Sequence, residues 1–435
     1  MDARETALNA LITCRRGGGW SNGVLKEAIR RDRLDGRDAA LATRLCYGVI
    51  QNRGRLDFFL RQLLRGRLRD LHPATRDILH LGLYQLLEMD RIPQSAAVNE
   101  SVRLAKKYGG QSGLVNGVLR NAAGNRGQLL EPTSYADRYS HPEELIALLK
   151  ANVPKGTLEG ILKANNGAPE TVVQVNRTKI DTGGLIEALA EAGVEARPHS
   201  WMEDCLVLGS TGDLERLEAF QNGLFYVQDP ASRLAVRCAE LPEKGGIRLL
   251  DCCSAPGGKS FAAAMDMGDR GEILSRDIHP HKIALIEKGA KRLGLSSIHP
   301  AVQDASVCNP EWENAMDVVL ADVPCSGLGI IRKKPDIRYR DLKETEALPA
   351  LQRSILDTQA RYVKKGGVLM YSTCTIVKRE NEDVVDAFLE SHPDFYPEAL
   401  RLPEVFPRNE TGMLTLLPGM YDTDGFFICR LRRKQ

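Results

Sequence analysis

No apolar run in this 435-residue chain approaches the ~18 residues that a bilayer-spanning helix needs. Its first residues, Met1-Asp2-Ala3-Arg4-Glu5, lack the basic-then-apolar order of an export signal, so a cytoplasmic protein is expected. The ten cysteines are scattered, and no two are spaced C-x-x-C. A disulfide scaffold and a zinc ribbon are therefore disfavoured, no metal site is expected, and in a reducing compartment the thiols stay free. No internal repeat or low-complexity tract is visible. The G-x-G-x-x-G pattern of dinucleotide enzymes is absent, and Gly258-Lys259-Ser260 is only a partial Walker sequence, because Cys253 stands where the loop's first glycine belongs.

What is present is an ordinary globular composition, 43% hydrophobic and 27% charged, in a chain long enough for roughly three domains. Its net charge of +2 conceals an asymmetry: residues 1–140 carry 23 Lys/Arg against 14 Asp/Glu, and the remainder 36 against 43. Clustered cations gain affinity for a polyanion by releasing its counterions. The basic amino-terminal third thus reads as a nucleic-acid module on a catalytic body, or as a merely solvated helical surface.

Apolar positions three or four apart, such as Ile78, Leu79, Leu83, Leu86 and Leu87, predict a bundle of short, tightly turned helices over residues 1–140. Its basic residues bunch at Arg53, Arg55, Arg61, Arg65, Arg67 and Arg69. Residues 125–142 read as a Gly/Pro linker, and 143–163 as helix. Strand candidates near 171–176, 204–208 and 223–227 around a helix at 184–192 predict a small α+β module within 141–235. That module lacks an aromatic strand of the RNP type; it either grips RNA or serves as a spacer. Over 236–435 strands (247–252, 272–277, a weaker 298–302, 317–321, 367–372) alternate with helices, and a closing strand pair lies near 413–417 and 425–431. The pattern implies parallel pairing with helical crossovers. Such a sheet binds its ligand at the carboxyl ends of its strands.

The first strand of that region ends at Asp251, and Cys253-Ser254-Ala255-Pro256-Gly257-Gly258-Lys259 turns into a helix whose bare backbone and N–H groups suit close approach of a ligand. Asp277, about 20 residues on, is placed to accept hydrogen bonds from ribose hydroxyls. Asp304 suits an adenine amino group. Each aspartate taken singly is as well read as a helix cap. At two further strand ends stand Pro324-Cys325 and Thr373-Cys374. Carbon 5 of cytosine is a poor nucleophile until a thiolate adds at carbon 6, so a positioned cysteine is the signature of its methylation. Either thiol meets that description, or is packing. Asp322 is placed as a partner of the base's ring nitrogen and amine, donating a proton there if protonated. The basic stretch Ile331 to Arg340 is a phosphate contact or a solvated loop. The other eight cysteines read as core or surface residues.

These residues resemble the NOP2/Sun family of RNA cytosine-5 methyltransferases over nearly the whole chain. The likeness rests on Asp251 to Ser260, Asp322-Val323-Pro324-Cys325-Ser326-Gly327, Tyr371-Ser372-Thr373-Cys374-Thr375 and Thr423-Asp424-Gly425-Phe426-Phe427. The amino-terminal third is similar to the antitermination factor NusB in Ala97 to Val102 and Val115 to Arg120. The resemblance implies an all-α NusB-like RNA-binding bundle (1–140), a small α+β module with linker helices (141–235) and an α/β Rossmann-like class I methyltransferase domain with a mostly parallel seven-stranded sheet (236–435). It further implies Cys374 as nucleophile, Cys325 as the residue that assists adduct release, and S-adenosylmethionine held by Cys253 through Lys259 with Asp277, Asp304 and Asp322. The implied substrate is cytosine 967 of 16S rRNA, naked or in an early assembly particle, met by a monomer. Cys252-Cys253-Ser254 departs from the usual motif, and Cys252 is taken as packing.

Cys325 as nucleophile is the alternative within the class. A non-catalytic RNA-binding or antitermination protein is the alternative outside it, and a nicotinamide oxidoreductase a distant third.

Overall fold

The computed structural model describes residues 1–17, 19–209, 211–243 and 246–435. It divides into two compact units, Met1–Gly167 with Ile331–Arg340, and Ala168–Ile330 with Asp341–Gln435. No helix among the described residues is long and apolar enough to cross a membrane.

The first unit is all helical. Six helices, Ala3–Arg15, Ser21–Asp32, Gly36–Leu63, Pro73–Glu88, Gln94–Lys107 and Ser112–Gly124, surround a core of Leu8, Leu45, Leu60, Ile78, Leu79, Leu83 and Leu119. Asp2 and Asp35 cap their helices by accepting hydrogen bonds from Glu5 and Asp38 N–H, the usual stabilisation of an orphan first turn. The expectation of uniformly short helices fails at Gly36–Leu63, which runs 28 residues. The chain's first proline is Pro73, so nothing breaks the backbone earlier, and Leu45, Val49, Leu56, Phe59 and Leu60 keep one apolar face buried throughout. Conversely, the helix expected over 143–163 is two, Glu143–Asn152 and Leu158–Asn166, with Pro154 between them. The 125–142 linker contains a helical turn, Tyr135–Tyr139, and the buried His141.

The decapeptide Ile331–Arg340 is part of this helical unit. Arg338 is 1% exposed, and its guanidinium donates to the carbonyls of Gln51 and Asn165 and to Asn166 Oδ1. The Tyr339 hydroxyl donates to Ile50 O. Arg338 is therefore neither a phosphate contact nor part of a solvated loop: burial on apolar Ile337 and the stranded carbonyls around it make it an internal clasp.

In the second unit β1 (Thr171–Val175), β2 (Ala196–Pro198), β3 (Cys205–Leu208) and β4 (Phe225–Val227) form an antiparallel sheet ordered β2-β3-β1-β4. Helix Thr182–Glu191 covers it through Leu185 and Leu189. The larger sheet comprises β5 (Arg248–Asp251), β6 (Glu272–Asp277), β7 (Ile298–Val302), β8 (Met316–Asp322), β9 (Val363–Thr373), β10 (Phe395–Pro397), β11 (Met413–Leu416) and β12 (Phe426–Arg433). Its path β10-β12-β9-β8-β5-β6-β7 holds the seven strands expected, and β11 adds an eighth on the edge of β12. Strands β5 to β9 pair in parallel, and β12 runs antiparallel to β9. Strand order reverses beside β5, which lies between β6 and β8, so the ligand crevice belongs at the carboxyl ends of these strands. The two sheets share one core, in which Val172, Val207 and Tyr226 join Leu249, Phe261 and Ile286.

Candidate active site

The turn after β5 is fixed from below. Ser254 donates through N–H and hydroxyl to Arg276 O at 2.8 and 3.0 Å, which ties the turn to β6, and Ser260 donates to Asp251 Oδ2 at 2.7 Å. Gly257 has φ +111°, and a Cβ there would stand 2.4 Å from the Phe261 ring; the position requires glycine. From Gly257 the chain enters helix Gly258–Asp266, whose first N–H groups stand at the crevice. Asp251, fully buried with its Oδ1 lacking a partner among the described residues, is pushed up to about 7 by burial. Cys253 is half-buried, its sulfur 3.9 Å from that of the buried Cys252. Pro256 forms the exposed crest of the turn, and the half-buried Ala255 packs against the core beneath it.

Three carboxylates follow at successive strand ends. Asp277 is buried at the end of β6; it accepts from His279 N–H at 3.0 Å and lies 3.5 Å from the Lys282 ammonium. Asp304, beyond β7, accepts from the N–H and hydroxyl of Ser306, which lowers its pKa. Asp322 ends β8 as an ion pair: Lys259 Nζ is 2.6 Å from its Oδ2, and Ser372 Oγ donates to its Oδ1 at 2.8 Å. The buried Lys259 ammonium also donates to Ser232 Oγ and lies over the Phe426 ring. Paired in this way, Asp322 faces the crevice as an acceptor.

The two cysteines of the strand-end motifs meet. Cys325 Sγ and Cys374 Sγ are 3.2 Å apart, both half-buried. The neighbouring Cys374 thiol, followed by burial, raises the Cys325 pKa well above its usual value. Backbone clamps hold the pair. Gln352 Nε2 donates to Pro324 O, Ser326 N–H donates to Glu380 Oε2, and Ser326 Oγ to Thr375 Oγ1. Gly329 N–H donates to Cys374 O and accepts at its own carbonyl from Gly425 N–H; a Cβ on Gly329 would lie 2.1 Å from Gly425 O, so this contact excludes any other residue. The carboxyl-terminal signature thus braces the Thr373-Cys374 strand end.

A family model described as 16S rRNA methyltransferase RsmB/F matches residues 240–432. The NusB family matches 1–124, and a ferredoxin-like domain of RsmF/B-like methyltransferases matches 141–215. The chain is 38% identical to the probable ribosomal RNA small subunit methyltransferase B of Bacillus subtilis (strain 168), across 99% of this chain and 98% of that protein. It is 34% identical to the ribosomal RNA small subunit methyltransferase B of Vibrio cholerae serotype O1, across 100% of this chain and 98% of that protein. The chain belongs to the RsmB/F family of ribosomal RNA methyltransferases. Among solved structures, the RsmB/F chain resembles that of PH0851 (TM-score 0.81, 25% identity, 98% of both chains). The crystal structure of NSun6 from Pyrococcus horikoshii with SFG (TM-score 0.59, 22% identity, 68% of this chain and 98% of that one) shares its fold.

The sequence reading of this RsmB/F methyltransferase missed the residues that support the thiols. Glu380 is fully buried yet sits in the charged string Lys378-Arg379-Glu380-Asn381-Glu382-Asp383, which looks like a solvated helix start. Its signal was proximity, six residues beyond Cys374. Gln352 and Ser232 carried none, since each reaches the site only through the fold.

Proposed function

We propose that this RsmB/F protein transfers a methyl group from S-adenosylmethionine to carbon 5 of a cytosine in 16S rRNA, cytosine 967 by family resemblance, with Cys374 as nucleophile and Cys325 as the group that aids release. The observation carrying the reading is the Cys325–Cys374 contact of 3.2 Å at the ends of adjacent strands, beside the Lys259–Asp322 pair.

The crevice suits the cofactor chemically. A glycine turn with helix N–H groups accepts a carboxylate, Asp277 has a carboxylate oxygen to spare for ribose hydroxyls, and Asp304 stands one strand further for an amino group. Cys253 through Lys259 line the approach. When bound there, S-adenosylmethionine supplies an electrophilic methyl on sulfur.

Cys374 adds to carbon 6 of the flipped base, and the electron pair of the 5,6 double bond becomes available at carbon 5 for the methyl. Asp322 accepts a hydrogen bond from the cytosine amino group, its charge held by Lys259. After transfer, a water molecule in the crevice takes the carbon 5 proton, its electron pair restores the 5,6 double bond, and the carbon 6–sulfur bond breaks to release Cys374 as a thiolate. Cys325, with its sulfur 3.2 Å away, keeps its own proton and stabilises the departing Cys374 thiolate by donating an S–H hydrogen bond to it.

The test is methylation of a 16S rRNA transcript with labelled S-adenosylmethionine, followed by bisulfite sequencing. One protected cytosine, lost without the protein, is the expected result. Label on another base or another ring position ends the proposal.

A further inference from the structure

The six arginines that bunch between residues 53 and 69 divide by partner. Arg53 lies over the Tyr339 ring, Arg55 pairs with Glu88 and Glu131, and Arg61 with Asp137. Arg69 approaches Asp70 at 3.9 Å. Arg65 and Arg67 are exposed and have no side-chain partner among the described residues.

Those two arginines stand at the rim of a cleft of about 500 Å³ between the end of helix Gly36–Leu63, the following turn, and helix Ser112–Gly124. That size falls in the range of roughly 300–1,000 Å³ typical of small-ligand sites. Leu63, Leu71, Leu114 and Val118 supply apolar lining, and each also packs on the helical core, so the floor is rigid. Asp70 lies at the mouth, offset by Arg69. One wall is Gly117, where a Cβ would meet nothing within 4 Å. Packing does not demand glycine there, and a helix is stabler with almost any other residue; the missing side chain leaves the cleft open.

An apolar floor under a rim of unpaired cations matches a ligand with one flat apolar part and an attached anion. An unpaired nucleotide has both, and a run of phosphates reaches two guanidinium groups as a single acidic side chain does not. We propose that this cleft is an RNA subsite: an unpaired base of the substrate, outside the target cytosine, rests against Leu63, Leu114 and Val118, and its flanking phosphates bind Arg65 and Arg67. The inference rests on the reading of the substrate as rRNA and adds a second point of attachment on the helical unit.

The test uses the full chain, a fluorescein-labelled 16S rRNA fragment and anisotropy over a salt series, with no reaction required. Gly117→Leu fills the cleft from an open helix position; it should weaken binding at least about fivefold and leave the salt slope unchanged. Arg65→Ala with Arg67→Ala should lower the slope of log K against log salt by about 1.4, or ~0.7 per lost phosphate contact. Should Gly117→Leu lower the melting temperature, RNA carrying 4-thiouridine and the unmodified chain replace it, with cross-links expected in peptides covering 63–71 or 112–121. Wild-type affinity for both variants, or an effect of the arginines alone with no cross-link at the cleft, overturns the proposal and leaves the cleft to an acidic peptide. Intact RNA affinity with no covalent adduct strikes the Cys374 mechanism instead, so the two failures are distinguishable.

Discussion

Cys325 and Cys374 touch through their sulfurs at 3.2 Å although 49 residues separate them. Adjacent parallel strands bring them together: the β8–β9 register aligns Leu320 with Met370 and Asp322 with Ser372, so both chains leave the sheet at one level. If Cys374 attacks, Cys374→Ala should lower methylation by at least about 10³-fold and form no adduct. Cys325→Ala should accumulate a protein–RNA band that survives denaturing electrophoresis. An adduct that forms in Cys374→Ala and disappears in Cys325→Ala reverses the roles.

The Lys259 ammonium lies 2.6 Å from Asp322 Oδ2. Lys259→Met keeps the length of the side chain but removes this charge-assisted hydrogen bond, a loss of about 1.5–3 kcal/mol. Methylation is expected to fall by roughly tenfold or more, and Lys259→Arg, which keeps the charge, should recover part of it. Unchanged methylation in Lys259→Met would show that the pair plays no part in the reaction.

Asp251 offers a stability test. Its carboxyl is pushed up from 3.8 to about 7 by burial, so the folded protein holds a proton that the unfolded chain releases near pH 4. Stability from this group is complete below pH 4 and is lost as pH rises through 7. A shift of this size corresponds to about 4 kcal/mol. Asp251→Asn cannot ionise, yet its amide oxygen can still accept from Ser260. The difference in unfolding free energy between variant and wild type should be near zero at pH 4 and favour the variant at pH 8, by urea denaturation.

How much of this was legible in the sequence depends on the range of the cause. The glycine turn, the aspartates at strand ends and the two cysteine motifs are local patterns, and β5, β6, β8 and β9 lie where alternation and turn residues indicated. Strand β7 read weakly because Ile298-His299-Pro300-Ala301-Val302 contains a proline, which only an edge strand tolerates, and β7 is the edge. The three-residue β2 left no period to detect. Long-range partners left no trace: Arg338 looked solvent-bound because its acceptor at Gln51 is 287 residues away.

Arg338 carries a prediction of its own. The guanidinium is pulled down to about 10 by burial and is held by several oxygens of residues 51, 165 and 166. Arg338→Met preserves length and removes every donor, stranding buried carbonyls at roughly 1–3 kcal/mol apiece. A loss of about 3–5 kcal/mol is expected in thermal or urea unfolding of the helical unit. Arg338→Lys, with one nitrogen in place of a fork, should recover only part.

Trp201 ties the ferredoxin-like module to the loop that braces Cys374. Its indole N–H donates to Tyr421 O at 2.8 Å, its ring meets Phe406 edge-on, and Ser200 Oγ donates to Asp422. Tyr421 and Asp422 both have left-handed backbone, φ 56° and 54°, a conformation that costs non-glycine residues energy and persists when neighbours fix it. From there the chain reaches Gly425, whose N–H donates to Gly329 O, while Gly329 N–H donates to Cys374 O. Trp201→Phe keeps an aromatic ring but removes the donor, at a cost of about 1 kcal/mol in stability. Because the loosened element leads to the thiol and bears no proposed RNA contact, kcat should fall severalfold with the KM for RNA unchanged. Trp201→His, which can donate from its ring, should recover more of kcat than Trp201→Phe does. A mutant that loses stability and keeps kcat would reduce Trp201 to packing.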